Sequence, residues 1–202
     1  MMKTIQTQRS MNPLKTLAGI LSRDPLRVPI NGVHVTGSDG VAVATNGHVL
    51  VHVPYNGELA LGTYTPRGGI IEAQYPDYKS VLPDWTATTM VPLGDEVILR
   101  LQEVVALNKR DGVRAWNPKA KTHACKHAAF TAARFKANSD WYYFDPFQLM
   151  SAIDALRKSG YRTLTLCLKD PLTPARIATT RADACGVIMP VRAGDRYLTV
   201  SN

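Results

Sequence analysis

The stretch DPFQLMSAIDALRKSGYRTLTLCLK, residues 145–169, predicts a complete helix followed by a strand. Asp145 is a good N-cap, and Pro146 suits the first helical position, where its missing N–H would have no partner. Gly160 is typical of the point where a helix ends. The run LTLCLK that follows alternates as a strand with one buried face does. The apolar stripe of this helix consists of Leu149, Ile153 and Leu156.

Two earlier parts of the chain repeat this order of a helix and then short strands. One helix is predicted to open at Asn12-Pro13 and another at Gly94-Asp95. Their apolar stripes are Leu14, Leu17, Ala18 and Leu21 in the first and Val97, Leu101, Val104 and Val105 in the second. Short alternating strands, broken by Gly, Asn and Asp, follow each helix. We therefore predict an α+β fold made of about three units, each with one helix and short antiparallel strands.

Composition limits the class of protein. The chain has 202 residues, 45% of them hydrophobic, which is enough for a core in one or two domains. Its formal net charge of +8 favours partners that are polyanions. No apolar run is long enough to span a membrane, and the polar N-terminus is unlike a signal peptide, so we expect a cytoplasmic protein. In that compartment the three cysteines are expected to be reduced: Cys125, Cys167 and Cys185.

The sequence contains no motif for nucleotide binding, acyl transfer or zinc-dependent proteolysis. One group of metal-ligand residues occurs in THACKHAA, where His123, Cys125 and His127 alternate and would share one face of a strand. On a strand the Cβ atoms of alternate residues are about 6.5–7 Å apart. This spacing is too wide for three side chains to converge easily on one zinc ion. We therefore expect no metal, no cofactor and no enzymatic activity. A metal-dependent enzyme that uses this strand face is kept as an alternative.

A second local feature is the tight-turn dipeptide Asn46-Gly47 in ATNGH. Between two predicted strands, this turn would present Thr45 and His48 at the edge of a sheet. The dipeptide alone indicates only a hairpin.

Four stretches of the chain, taken in order, resemble one known family. They are INGVHVTGSDGVAVATNGHVL, YPDYKSVLP, YYFDPFQLMSAIDALRKSG, and LTLCLKDPLTPARI followed by GVIMPVR. They are similar to the ATDGHRL region, the Pro-Asp-Tyr link, the last helix and the closing strands of bacterial DNA polymerase III beta sliding clamps. The resemblance covers roughly residues 12–54 and 75–192.

The resemblance implies that half of the family's middle domain is joined here to a complete last domain. The first domain of the family has no counterpart. The implied organisation is a flexible lead-in (1–11), a half-domain (12–56), a connector (57–74), a C-terminal domain of two half-units (75–192) and a tail (193–202). Asn46 stands where the family has aspartate, Val49 where it has arginine and Val191 where it has a second methionine.

The resemblance also implies a non-enzymatic accessory protein of DNA replication or repair. In the family, DNA polymerases and other partners insert a short linear motif with Leu and Phe anchors into an apolar pocket between the middle and last domains. We expect the tail residues Tyr197 and Leu198 to fold back over this pocket as an internal competitor. The residues that match the pocket are Thr45, Gly47, His48, Leu50, Pro83, Val187, Met189, Pro190, Val191 and Arg192.

Basic residues on the helix faces are expected to contact the backbone of double-stranded DNA without reading its sequence. These candidates are Lys15, Arg23, Arg100, Lys109, Arg110, Arg157 and Lys158. A clamp dimer of the family contains twelve half-domain units. Four copies of this chain, with three units each, would supply the same number in a tetrameric ring. The alternative is a truncated clamp mimic, from a phage or mobile element, that sequesters clamp partners without loading on DNA.

Overall fold

The computed structural model describes residues 12–37, 40–82, 89–111, 131–192 and 196–201. Its helices are α1 (Pro13–Thr16), α2 (Asp95–Arg110) and α3 (Pro146–Lys158), with short 3-10 helices at Val28–Ile30 and Tyr78–Val81. The strands are β1 (Val33–Val35), β2 (Val41–Thr45), β3 (Val49–Pro54), β4 (Gly62–Tyr64), β5 (Thr89–Pro92), β6 (Ala132–Ala137), β7 (Asp140–Phe144), β8 (Leu164–Leu168), β9 (Ala175–Thr179), β10 (Cys185–Ile188) and β11 (Tyr197–Ser201). The predicted α+β class is confirmed.

The predicted helix starts lie where the capping residues place them. The Asn12 side chain accepts a hydrogen bond from the Leu14 amide at 3.0 Å, and Asp145 accepts one from the Phe147 amide at 2.8 Å. Gly160 follows α3 in the left-handed region, with φ of +92°. These local signals therefore set the beginnings of α1 and α3 and the end of α3.

Helix α1 is shorter than its apolar stripe predicts. It ends at Thr16, although the later stripe residues Leu17 and Leu21 are still buried. Gly19 is a poor helix former, and a helix this short depends on packing and not on propensity. The chain therefore continues as turns, which bury the same apolar side chains.

An eight-stranded sheet runs through most of the molecule, in the order β4-β1-β2-β3-β10-β9-β8-β5. All its paired strands are antiparallel. The β3–β10 pair joins the first part of the chain to the last within this sheet. The connector region contributes β4, which pairs with β1 through Val33 and Tyr64. The end strand β4 therefore belongs to a stretch that shows little periodicity in sequence.

The hydrophobic core lies between the helices and one face of each sheet. Helices α2 and α3 pack against each other, and α3 also contacts β3 and β10. Phe135 and Phe144 are fully buried, with their rings edge to face at a centroid distance of 5.9 Å. Each such side chain contributes about 1.5–3 kcal/mol by leaving water. Val43, Leu50 and Val187 of the eight-stranded sheet are buried in a second, smaller cluster.

The residues after 196 form strand β11, which joins β6 and β7 in a second, three-stranded sheet in the order β11-β6-β7. Strand β11 runs parallel to β6, with Tyr197 beside Ala132 and Leu198 beside Ala133. Val200 is buried, and β11 contacts α2. The expectation that Tyr197 and Leu198 cover the pocket is therefore wrong. The edge of β6 offers backbone hydrogen bonds, and Val200 gains burial there.

Candidate peptide-binding site

The junction of β3 and β10 brings two of the predicted site segments together. Leu50 of β3 lies directly opposite Val187 of β10 in the sheet register. Beyond the end of β10, the Met189 amide donates a hydrogen bond of 2.9 Å to the His48 carbonyl. The segments TNGHVL and VIMPVR are therefore held side by side, although His48 and Met189 are 141 residues apart in sequence. 

 

Strand pairing between β3 and β10 is therefore what forms this junction.

The turn between β2 and β3 is held by its own side chains. Asn46 Oδ1 accepts hydrogen bonds from the amides of His48 (2.9 Å) and Val49 (3.1 Å). Gly47 has φ of +90°, and a Cβ there would lie 2.8 Å from Arg27 Nη1. Asn46 Nδ2 donates to Gln148 Oε1 of α3 at 2.8 Å. An aspartate at position 46 would have no N–H for this last bond.

The floor of the site is covered by the link that contains YPDYKSVLP. Leu50 and Val187 form a small buried cluster with Val43 and are only 5% and 4% exposed. Partly buried side chains of the link pack on this cluster: Tyr75, Tyr78 and Leu82. The apolar floor therefore exists, but the link lies over it.

Tyr75 attaches the link to the sheet. Its ring stacks on His34 with centroids 4.6 Å apart and planes 9° from parallel. Burial raises the pKa of the Tyr75 phenol, and the hydroxyl has no hydrogen-bond partner in the part of the chain that the structure describes. Asp77 caps the 3-10 helix that follows, through the Lys79 amide at 3.0 Å. The link is thus a packed segment with its own cap.

The rim of the site is accessible. Met189 is 43% exposed, and Gly47, His48 and Arg192 are exposed as well. The Val191 amide donates to the Tyr143 carbonyl of β7 at 2.8 Å, which holds the end of the rim against the second sheet. Pro83 lies outside the described residues. The predicted site thus divides into a covered apolar floor and an exposed rim.

Sequence reasoning missed Arg27, which lies beside the turn. Its Nη1 donates to the Asn46 carbonyl at 3.5 Å, and its Nε lies 3.6 Å from Asp24 Oδ2. A shallow pocket of about 380 Å³ adjoins it, lined by Arg27, Pro29, Ile30, Gln74, Tyr75, Pro76 and Asp77. Nothing in the local pattern around Arg27 signals this contact, because it depends on the tertiary fold.

A histidine and a cysteine meet on the same sheet. Cys185 Sγ lies 3.0 Å from His52 Nε2. Burial raises the pKa of the Cys185 thiol to about 11. Burial, followed by the positive charge of Arg176, lowers the pKa of His52. These shifts favour a neutral thiol beside a neutral imidazole, whereas nucleophilic cysteines are thiolates.

The alternative metal site cannot be placed, since His123, Cys125 and His127 lie outside the described residues. Within the described ranges, no group of three or more His, Cys, Asp or Glu side chains is arranged to hold a metal ion. No helix in this part of the chain has the length and apolar character needed to cross a membrane.

The candidate DNA-contacting residues are mostly exposed, but three are in ion pairs. Helices α2 and α3 carry Arg100, Lys109, Arg110, Arg157 and Lys158; Lys15 lies on α1, and Arg23 follows that helix. The ion pairs are Arg157–Asp95 (3.1 Å), Arg100–Glu96 (3.4 Å) and Arg110–Asp111 (3.5 Å). These carboxylates reduce the positive charge that α2 and α3 present.

Solved structures of clamp subunits share this fold. The DNA polymerase III beta subunit of Thermotoga maritima matches with a TM-score of 0.60 and 13% identity, over 90% of this chain and 64% of that one. The beta chain of Streptococcus pneumoniae matches at 0.59 and 15%, over 95% and 69%. The Helicobacter pylori beta clamp bound to a DNA ligase peptide matches at 0.59 and 12%, over 89% and 62%.

Sequence comparison adds no closer relative, because no protein-family model and no curated protein matches the chain. The chain spans less than two thirds of the length of the Thermotoga and Helicobacter subunits. At these identities the similarity concerns the fold, and it confirms the resemblance found in the sequence. The chain has the fold of bacterial DNA polymerase III beta sliding clamps.

Proposed function

We propose that this chain is a sliding-clamp-like accessory protein of DNA replication or repair. It binds short peptides of DNA polymerases and other clamp partners at the β3–β10 junction. The observation that carries the proposal is the pairing that sets Leu50 beside Val187 and Met189 beside His48. The similar Helicobacter clamp, which is bound to a DNA ligase peptide, supports it.

A peptide would first meet the exposed rim. Met189 is unbranched and polarizable, so it adapts to different apolar side chains. Arg192 and Arg27 supply cations for peptide carbonyl or carboxylate oxygens. Each Leu or Phe anchor that leaves water contributes about 1.5–3 kcal/mol, which gives micromolar affinity after ordering costs. For an anchor to reach Leu50 and Val187, the side chains of the link must move aside.

We predict that Met189→Ala weakens binding of a fluorescein-labelled DNA ligase peptide about ten-fold, because it removes exposed apolar contact area. Its free energy of unfolding should be nearly unchanged, since the side chain is partly in water. Leu50→Ala should also weaken binding, but with a loss of about 2–4 kcal/mol in stability because Leu50 is buried. Fluorescence anisotropy measures the first effect and urea denaturation the second.

Met90→Ala is the matched control for this experiment. Met90 is an exposed methionine on β5, at the far end of the same sheet. This control variant should bind the peptide as the unmodified protein does. Unchanged affinity in both Met189→Ala and Leu50→Ala would contradict the proposed site.

Assembly into a tetrameric ring is the second part of the proposal. Four chains would supply the twelve half-domain units of a clamp dimer, and the basic helix faces would contact the DNA backbone. We expect multi-angle light scattering to give the mass of four chains at micromolar concentration. A monomer both with and without double-stranded DNA would exclude the ring.

The alternative proposal is a clamp mimic that binds partner peptides without loading on DNA. The ion pairs of Arg100, Arg110 and Arg157 favour it, because they weaken the positive surface of α2 and α3. A mimic should bind the ligase peptide while showing negligible affinity for double-stranded DNA at any salt concentration. A clamp-like protein should bind duplexes with an affinity that falls steeply as salt rises.

A further inference from the structure

The outer face of the three-stranded sheet carries cations between aromatic rings. Strand β6 alternates, with Ala133 and Phe135 buried in the core and the side chains between them outward. The neighbouring strands β7 and β11 add rings and a hydroxyl to the same face. The members of this outer face are Arg134, Lys136, Trp141, Tyr143, Tyr197 and Thr199.

Arg134 is held rigidly at the centre of the outer face. Its guanidinium lies 3.9 Å from the ring centroid of Trp141 and 4.0 Å from that of Tyr197. Its Nε and Nη2 donate to Thr199 Oγ1 at 3.0 and 2.6 Å. Lys136 Nζ lies 5.5 Å from the Trp141 centroid. Arg134 is thus fixed between two rings, while the exposed Lys136 lies near the partly exposed Trp141.

Neither cation has a carboxylate within ion-pair distance among the residues that the structure describes, in contrast to Arg100 and Arg157 on the helices. Tyr143 packs edge to face on Tyr197 at 5.8 Å, and Tyr197 is still 46% exposed. The outer face therefore combines positive charge with accessible aromatic surface, which complements an anionic ligand that has flat apolar parts.

We propose that the outer face of the three-stranded sheet binds single-stranded DNA. Arg134 and Lys136 are two positions apart on β6, so their Cα atoms are about 6.5–7 Å apart. Their side chains can therefore contact phosphates along one DNA strand. Unpaired bases can stack on Tyr197 and Trp141, as they do on aromatic side chains of other single-strand binding surfaces. In a duplex the base faces are covered, so only the phosphate contacts would form.

The resemblance to sliding clamps ends near residue 192, and β11 lies beyond that point. Tyr197 and Thr199, which both belong to β11, complete the outer face. The outer face adjoins the rim of the peptide site, where the Val191 amide donates to the Tyr143 carbonyl, but it shares no residue with that site and binds a different ligand. The inference therefore goes beyond the proposed function, and only the choice of DNA as the nucleic acid rests on that function. Because the proposed function is an accessory role in DNA replication or repair, we commit to DNA and not RNA as the single strand.

The test uses the full chain and a fluorescein-labelled 20-nucleotide oligo-dT in fluorescence anisotropy. Lys136→Ala and Trp141→Ala should each weaken binding about five- to ten-fold, and Trp141→Phe should restore part of the loss. Lys169→Ala, an exposed lysine outside the outer face, should leave the affinity unchanged. Circular dichroism of each variant verifies that the sheet is intact; Lys136 is exposed, so its variant should fold normally.

Oligo-dT should bind more tightly than a duplex of the same length, and the ligase peptide should not displace it. Equal affinity of Lys136→Ala, Trp141→Ala and the unmodified chain would overturn the proposal. Binding of the duplex as tightly as oligo-dT would also overturn it. Ten-fold tighter binding of oligo-U than of oligo-dT would overturn it as well. If the peptide fails to bind while oligo-dT binds, only the proposed peptide function fails.

Discussion

Replacing Asn108 with alanine should lower the free energy of unfolding by about 3 kcal/mol, a large effect for a single polar side chain. Asn108 is 1% exposed near the end of α2. Its Nδ2 donates to the carbonyls of Val104 and Thr131, both at 2.9 Å. Its Oδ1 accepts from the Thr131 amide at 2.7 Å. One side chain thus satisfies both backbone groups of Thr131.

The size of the effect comes from the groups that the substitution leaves behind. Thr131 is itself 5% exposed, so water cannot easily replace the lost partners. A buried backbone group without a partner costs about 1–3 kcal/mol. Alanine at position 108 leaves both the N–H and the C=O of Thr131 without this partner. Asn108→Asp should be at least as harmful, because it buries a charge and removes the donor.

Urea denaturation measures the change, with Gln102→Ala as the matched control. Gln102 lies on the exposed side of the same helix, so its replacement should change the free energy of unfolding by less than about 0.5 kcal/mol. A loss below about 1 kcal/mol for Asn108→Ala would show that Thr131 finds other partners. The expected result means that Asn108 joins the end of α2 to the start of β6.

Most helices and strands could be predicted because their signals are local. Asn12, Asp145 and Gly160 act on backbone groups within a few residues, and those contacts form as the sequence predicts. Alternation likewise identifies strands with one buried face. Strand β4 could not be found this way, because three residues that include Gly62 are too few to show a period.

The candidate site was predictable in part. The resemblance indicates that TNGHVL and VIMPVR belong to one pocket, and β3 does pair with β10. It does not indicate that Tyr75, Tyr78 and Leu82 cover Leu50, or that Arg27 approaches Gly47. Such contacts depend on where distant segments pack, and no local pattern of polar and apolar residues reports that.

Ending the chain after Arg192 should lower the free energy of unfolding by about 3–5 kcal/mol. This truncation removes the buried Val200, worth about 1.5–3 kcal/mol, and the partly buried Leu198, which packs on the core. It also removes the parallel partner of β6 and leaves β6 and β7 as a two-stranded ribbon, which is marginally stable by itself. Chemical denaturation of the truncated and full chains measures the difference.

The truncation also tests the structural role of residues 197–201 as a strand of the second sheet. An internal competitor over the pocket would make the truncated chain bind the ligase peptide more tightly, with little loss of stability. If residues 197–201 instead act as a strand of the second sheet, the truncated chain should be less stable and should not bind the peptide more tightly. Tyr197 packs on Tyr143, and the Tyr143 carbonyl holds the Val191 amide of the rim. Tyr197→Ala is the control: it removes the ring but keeps the β11 backbone and Val200, so most of the stability should be retained. Peptide affinity that rises in the truncated chain would contradict the structural role of β11, whereas equal or weaker affinity with the expected loss of stability supports it.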